Sequence, residues 1–307
     1  MRALIVTNMY PSAARPALGS FVRDQVDALR RIDGVDVDVF SFAPGGMAGY
    51  VKGAAELRRR HRSDRFDVVH AHFGLTAWPA FAAAGTVHAV TLHGTDLAHP
   101  RSRAITTSAL PFLDLVAAVS ESLAAAIPKK AVRGRTAVLP IGVDVHRFRP
   151  IPRDEARAGL GLAPDGSYLL FPADPRRPEK RYDRALAVAG GVPLLTLGDV
   201  EPQKVPLYVN AADAVLVPSE REGFGLAVLE ALACDVPVLA TPVGVTPAAL
   251  EGIAGALAAP FDEAAWRVAL EPHLKADDPR IHGRARAEAF STDQMAEQVV
   301  AVWRSLL

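Results

Sequence analysis

Ala214-Val215-Leu216-Val217-Pro218-Ser219-Glu220-Arg221-Glu222-Gly223-Phe224-Gly225-Leu226-Ala227-Val228-Leu229-Glu230-Ala231-Leu232-Ala233-Cys234 reads as a strand, a glycine-containing turn and a helix. From Gly223 to Cys234 the only charged residue is Glu230. Leu226 and Ala233 lie one helical turn from it and Leu229 directly before it, so no obvious polar face receives the carboxylate. Burying it costs several kcal/mol, in order of magnitude, unless it is hydrogen-bonded. One reading pairs it with an Arg or a backbone donor in the core. The other has it grip vicinal hydroxyls of a ribose, as acids do in Rossmann sites. Its position alone does not choose. Glu222 precedes the helix in a loop whose glycines let backbone approach a ligand. The helix N-terminus favours a diphosphate or another anion, although a lone Glu there is also explained as a dipole-favourable acid.

Outward from this stretch, short apolar runs alternate with helical patterns, the mark of parallel sheets covered by helices. Strands are predicted at Ala3–Thr7, Val35–Phe42, Asp67–His70, Ala89–Leu92, Leu115–Val119 and Thr136–Leu139, with helices such as Ser20–Arg31 and Tyr50–Arg60 between them. The pattern restarts with strands Tyr168–Phe171, Pro193–Leu197, Ala214–Val217 and Val236–Ala240. From Glu263 onward it is helical only. The Pro- and Arg-rich segment around Phe148-Arg149-Pro150-Ile151-Pro152 marks the linker. The expectation is α/β, with one doubly wound domain over 1–145, a second over 146–290, and a last helix at about 291–307 packing back on the first.

Composition narrows the function. The 307 residues are 50% hydrophobic and 22% charged, and Lys+Arg and Asp+Glu both number 34. Zero formal net charge and the lack of a basic tail argue against nucleic acid as a partner. Cys234 is the single cysteine, which excludes an intramolecular disulfide and points to a reducing cytoplasm. Met1 leads straight into a strand-like run, not a signal peptide. The charge-free stretch Phe73 to Thr95 is broken by Gly74, Pro79, Gly85, His88 and His93. It reads as helix, turn and strand, leaving peripheral membrane contact open.

Other chemistry-bearing residues gather at predicted strand ends. Asp174-Pro175-Arg176-Arg177-Pro178-Glu179-Lys180-Arg181 follows a strand, and forked guanidinium donors with a compact ammonium suit a phosphate clamp. A solvated charge run is the plainer reading, and the strand-end position favours function. Gly19 and Ser20 open the first long helix, where Ser20 makes a good N-cap. His93 ends a strand. His70 and His72, expected on opposite faces if their strand continues, are read as structural. No metal site is expected, because neither has Cys or carboxylate partners at ligand spacing.

Glu222 and Glu230, with seven residues between them and Gly-Phe-Gly after the first, resemble the E-x7-E motif of retaining GT-B glycosyltransferases, particularly family 4. The resemblance continues through Cys234-Asp235-Val236-Pro237-Val238, Pro140-Ile141-Gly142-Val143-Asp144 with Arg147-Phe148, Asp67-Val68-Val69-His70-Ala71-His72, Thr91-Leu92-His93-Gly94-Thr95-Asp96 and Gly19-Ser20-Phe21-Val22. It implies a GT-B fold: two Rossmann-like domains facing a central cleft. It also implies metal-independent transfer of a sugar from an NDP-sugar to an acceptor held mainly by the first domain, with no cofactor beyond that donor. The acceptor is unidentified: a sugar, a lipid-linked molecule or another small molecule. The resemblance places Glu230 on the ribose, Glu222 by the donor sugar, His93 at the sugar and Lys180 at the diphosphate. Gly19, Ser20, Gly223, Phe224, Gly225 and Leu226 join the nucleotide-sugar site. Where the family has Gly-Arg this chain has Ala173-Asp174, so Arg176 or Arg177 must substitute. A second departure is Gly244-Val245-Thr246-Pro247-Ala248, where many relatives read Gly-Gly-x-Pro-Glu. An NDP-sugar epimerase and a non-catalytic nucleotide-sugar-binding protein are the alternatives.

Overall fold

The computed structural model describes residues 1–198 and 200–307, and the chain divides into two compact units. Met1–Gly142 with Thr292–Leu307 form the first, and Val143–Ser291 the second.

The first unit holds β1 (Arg2–Thr7), β2 (Asp36–Ser41), β3 (Phe66–His72), β4 (Gly85–Leu92), β5 (Leu115–Ala118) and β6 (Arg135–Val138). They form one parallel sheet in the order β2-β1-β3-β4-β5-β6. Side chains alternate across a strand, and β1 shows the result. Ala3 and Ile5 enter one apolar cluster, Leu4 and Val6 the other, all fully buried. A sheet covered on both faces therefore reads as continuous apolar runs.

The second unit holds β7 (Leu169–Phe171), β8 (Leu194–Thr196), β9 (Ala214–Val217), β10 (Val238–Ala240) and β11 (Leu257–Ala258). Their order is β11-β10-β9-β7-β8, again parallel. Trp266 and Leu270 of the helix Glu263–Lys275 close one face of this sheet. Deeper in, Arg157 is fully buried and reaches Asp213 at 2.9 Å, while Asp213 also accepts from the Tyr168 amide at 2.9 Å.

Two boundaries differ from those predicted. Val143 donates its N–H to the Phe290 carbonyl and bridges Ser291, which draws it into the second unit and moves the break from 145/146 to 142/143. The last helix, Thr292–Arg304, buries Met295, Ala296, Val299, Val300 and Trp303, a helical stripe against the first unit's core. The stretch from Phe73 resolves into a 3-10 turn Gly74–Thr76, a short helix Ala77–Ala80 and β4. Among the described residues no helix is long and apolar enough to cross a membrane.

Both sheets start at an inner strand, step to one edge, then return to the other side. The connections after β1 and β3, and after β7 and β9, thus leave on opposite faces and open a crevice at the carboxyl ends. Such switch points are where doubly wound sheets bind ligands.

Candidate functional site

In the second unit, the loop after β7 carries the basic cluster, and the loop after β9 carries Glu222 and leads into the helix that carries Glu230. The Glu220 amide donates to the Glu179 carbonyl at 2.9 Å, stitching one loop to the other. Lys180 then donates to both carboxylate oxygens of Glu222, at 2.7 and 2.6 Å. Exposure sorts the cluster: the side chains of Arg176, Arg177 and Lys180 are 72%, 54% and 15% exposed. Of these three, Lys180 is the one withdrawn from water enough for its charge to act at close range. Arg176 is held by Asp174 and Arg177 by Glu179, each at 2.9 Å through Nε. The Arg176 guanidinium keeps the Asp174 carboxyl below the usual carboxylate range.

The Glu222 loop is braced from behind. Gly244 sits at φ +62, and a Cβ there would lie 2.2 Å from the Phe224 carbonyl oxygen, so only glycine fits. The next amide, Val245, donates to that carbonyl at 2.6 Å. Gly225 is the N-cap of the helix Leu226–Ala233 and has φ 104, leaving the Gly223–Leu226 backbone at the positive end of the helix. Glu230 is half-buried rather than enclosed. Leu226, Ala227 and Glu230, three and four residues apart, share a helix face that stays partly open. The desolvation expected from the apolar sequence is correspondingly reduced. Beside this site, Asp174, Arg176, Thr196, Gly198 and Val200 line a cavity of about 510 Å³ at the ends of β7 and β8.

In the first unit, Gly19 has φ +66, and a Cβ would fall 2.1 Å from the Met9 carbonyl oxygen. Gly19 itself occupies the N-cap of the helix Ser20–Leu29, with no side-chain cap. The prediction that Ser20 caps this helix is therefore corrected: passing Met9 needs a left-handed glycine, which starts the helix one residue earlier.

His93 follows β4, half-buried under Phe21, with ring centroids 5.0 Å apart. His70 and His72 do not diverge as predicted, because residues two apart on a strand share a face. Their rings stack at 5.2 Å, and His72 stacks on His93 at 5.3 Å. A ring nitrogen of His72 lies 3.1 Å from one of His93. Trp303 donates its indole N–H to His70 Nδ1 at 3.0 Å, so the His70 proton sits on Nε2, 2.7 Å from the Thr91 hydroxyl. Burial drives all three imidazoles down, His72 to about 4, so the stack is neutral. Sequence reasoning missed Trp303, which meets the stack only through the fold.

Asp96 is fully buried and accepts from the amides of Gly74, His93 and Gly94 at 2.6, 2.5 and 3.0 Å. Burial raises its pKa despite these donors. It fastens the turn after β3 to the turn after β4.

Family models for Glycosyltransferase Family 4 and Glycosyl transferases group 1 match residues 18–147 and 171–275. A D-inositol 3-phosphate glycosyltransferase of Actinosynnema mirum is 31% identical over 85% of this chain and 77% of its own length. The chain belongs to glycosyltransferase family 4. A second such relative, from Mycobacterium marinum, is 27% identical to this glycosyltransferase over 96% of the chain and 74% of its own. The fold is GT-B, shared with sucrose-phosphate synthase from Thermosynechococcus elongatus (TM-score 0.75, 20% identity, 99% and 98% of the two chains). Anabaena HepE, solved with UDP and glucose, is similar at TM-score 0.73 and 18% identity, covering 99% and 100%. The relatives named here are glycosyltransferases, and nothing among them supports the epimerase alternative. Among its described residues no group of three His, Cys, Asp or Glu side chains is placed to hold a metal ion.

Proposed function

We propose that this glycosyltransferase moves a hexosyl group from an NDP-hexose to an acceptor hydroxyl with retention of anomeric configuration. The observation that carries the reading is the Lys180–Glu222 pair at the β7/β9 switch point. An ammonium held there can neutralise a diphosphate as negative charge grows on the leaving group. Glu222, on the same nitrogen, faces the position of the sugar. The partly open Glu230 reaches the ribose hydroxyls, and the cavity of about 510 Å³ takes the base, a volume within the range of ligand sites. Arg176 or Arg177 would have to leave its acidic neighbour to join the diphosphate. In the first unit, Gly19 and Ser20 offer backbone at the start of a helix, which suits an anion, and His93 after β4 is a neutral imidazole suited to a sugar hydroxyl. HepE binds UDP and glucose, which makes UDP-glucose the first donor to try.

Calorimetry of UDP-glucose tests this reading. Lys180→Ala and Glu230→Gln are each expected to weaken binding by about 1.5–3 kcal/mol, the worth of a charge-assisted contact. Parent-like affinity in both variants would overturn the assignment.

A further inference from the structure

The first unit carries a second cavity, of about 470 Å³, that the donor site does not use. Met47, Val51 and Ala54 of the helix Met47–Arg60 form one wall, and Leu75, Trp78 and Ile105 the other. These residues follow β2, β3 and β4, so the cavity opens on the carboxyl-end side of the sheet, where ligands bind. It also adjoins the turn that carries His93. Leu75 follows Gly74, whose amide is held by Asp96, and the other oxygen of Asp96 holds the amide of His93.

The chemistry of the walls is one-sided. Among the described residues, no Lys, Arg, His, Asp or Glu lines the cavity. The Trp78 indole N–H is already turned to the Ile105 carbonyl at 3.4 Å. Tyr50 also lines it, and its hydroxyl accepts from the Asn8 side-chain amide at 2.8 Å. Asn8 is 5% exposed, and its own carbonyl oxygen has no partner among the described residues. At the outer rim Met47, Val51 and Trp78 are 66%, 63% and 43% exposed. Large apolar side chains left in water around a cavity of ligand size mark a binding surface.

We propose that this cavity holds the apolar body of the acceptor, an alcohol with an alkyl or aryl portion, with its hydroxyl end at Tyr50 and Asn8. The inference rests on the transferase reading and gives it an acceptor class. It sets this chain apart from the relatives named for D-inositol 3-phosphate. A phosphate monoester in this cavity would meet no cation on its lining and would lose hydration without replacement.

Tryptophan emission of the full chain reads the cavity directly. Of the three tryptophans, Trp266 and Trp303 are fully buried and Trp78 is exposed at the rim. Titration with octyl β-glucoside, below its micelle concentration, is expected to give a saturable blue shift. Inositol 3-phosphate at the same concentrations gives none. Ala54→Phe, which fills the cavity, and Val51→Asp, at an exposed rim position that leaves the core alone, each weaken the titration at least about tenfold. Val268→Ser, which removes an exposed apolar side chain of the second unit, leaves it unchanged.

With UDP-glucose present, octyl β-glucoside is expected to be glycosylated with kcat/KM at least about tenfold above that for inositol 3-phosphate. The proposal is overturned by a shift only with lipid vesicles, by equal response to inositol 3-phosphate, or by unaltered titration in both cavity variants. A thermal shift with UDP-glucose alone separates the two readings. Failure there strikes the donor assignment, whereas the emission titration judges the cavity.

Discussion

Lys180 and Glu222 come from loops leaving β7 and β9, and the ammonium bridges both carboxylate oxygens at 2.7 and 2.6 Å. Forty-two residues apart in sequence, they meet at the switch point of the second sheet. The pair holds the ammonium in place before any phosphate arrives, and such preorganisation is a principal source of electrostatic catalysis. Glu222→Gln keeps the volume and removes the charge, so donor affinity should change little while kcat falls about 10²–10³-fold. Steady-state kinetics beside calorimetry checks the split. A variant losing affinity and turnover in equal measure would make Glu222 a binding residue only.

Turnover is expected to survive EDTA. Lys180 is already at the site, with Arg176 and Arg177 four and three residues before it, each tied to an acid it could exchange for a phosphate. These cations supply the neutralisation that a divalent ion provides elsewhere. Activity abolished by chelation and restored by Mg²⁺ or Mn²⁺ is the contrary result.

The imidazole stack makes the first unit acid-sensitive. The folded pKa values of His70, His72 and His93 lie below 6.5, that of His72 at about 4. Below pH 6.5 the unfolded chain therefore takes up protons that the folded chain refuses. The stability they protect is whole above pH 6.5 and is lost as pH falls toward 4. For His72 alone the loss is on the order of 3 kcal/mol. Asp96 opposes this in part, since burial makes it bind its proton earlier in the fold. Urea midpoints at pH 7 and pH 5 should separate clearly in the parent and less in His72→Phe. An equal separation in both would clear His72 of the effect.

Much of this architecture was legible because its signals are local. The run Ala214–Val217, the glycines after it and the spacing of Glu222 and Glu230 lie within one stretch. So does the burial of β1, written in consecutive apolar residues. The two-residue β11 has no periodicity to read, and its register comes only from pairing with β10. The imidazole stack needs the β3–β4 register, which sets His72 opposite Thr91, and a tryptophan from the far end of the chain. The charge run at Arg176–Arg181 shows its limits differently: sequence displays the cations, but only the fold shows which acid each one holds.

Arg157 and Asp213 test the same point through stability. The guanidinium is fully buried, bonded to Asp213 at 2.9 Å and to the carbonyl of Ala211 at 3.0 Å, and burial lowers its pKa. Asp213→Ala strands a buried charge and should cost about 3–5 kcal/mol. Urea unfolding measures it, and a loss below about 1 kcal/mol would mean that water or Arg153 compensates.

The stereochemical course separates two mechanisms that share these residues. Double displacement needs a carboxylate free to attack the anomeric carbon from the face opposite the leaving group. Asp96 has both oxygens engaged by backbone amides and is closed to solvent. Glu222 has both oxygens on Lys180. With the acids so committed, the reaction is expected to run on one face. The departing phosphate takes the acceptor proton, and Lys180 stabilises its charge. NMR of the first-formed product from an α-linked donor should show an α linkage, and azide should not rescue Glu222→Ala as a glycosyl azide. A β-linked product would refute the one-face course and retention together.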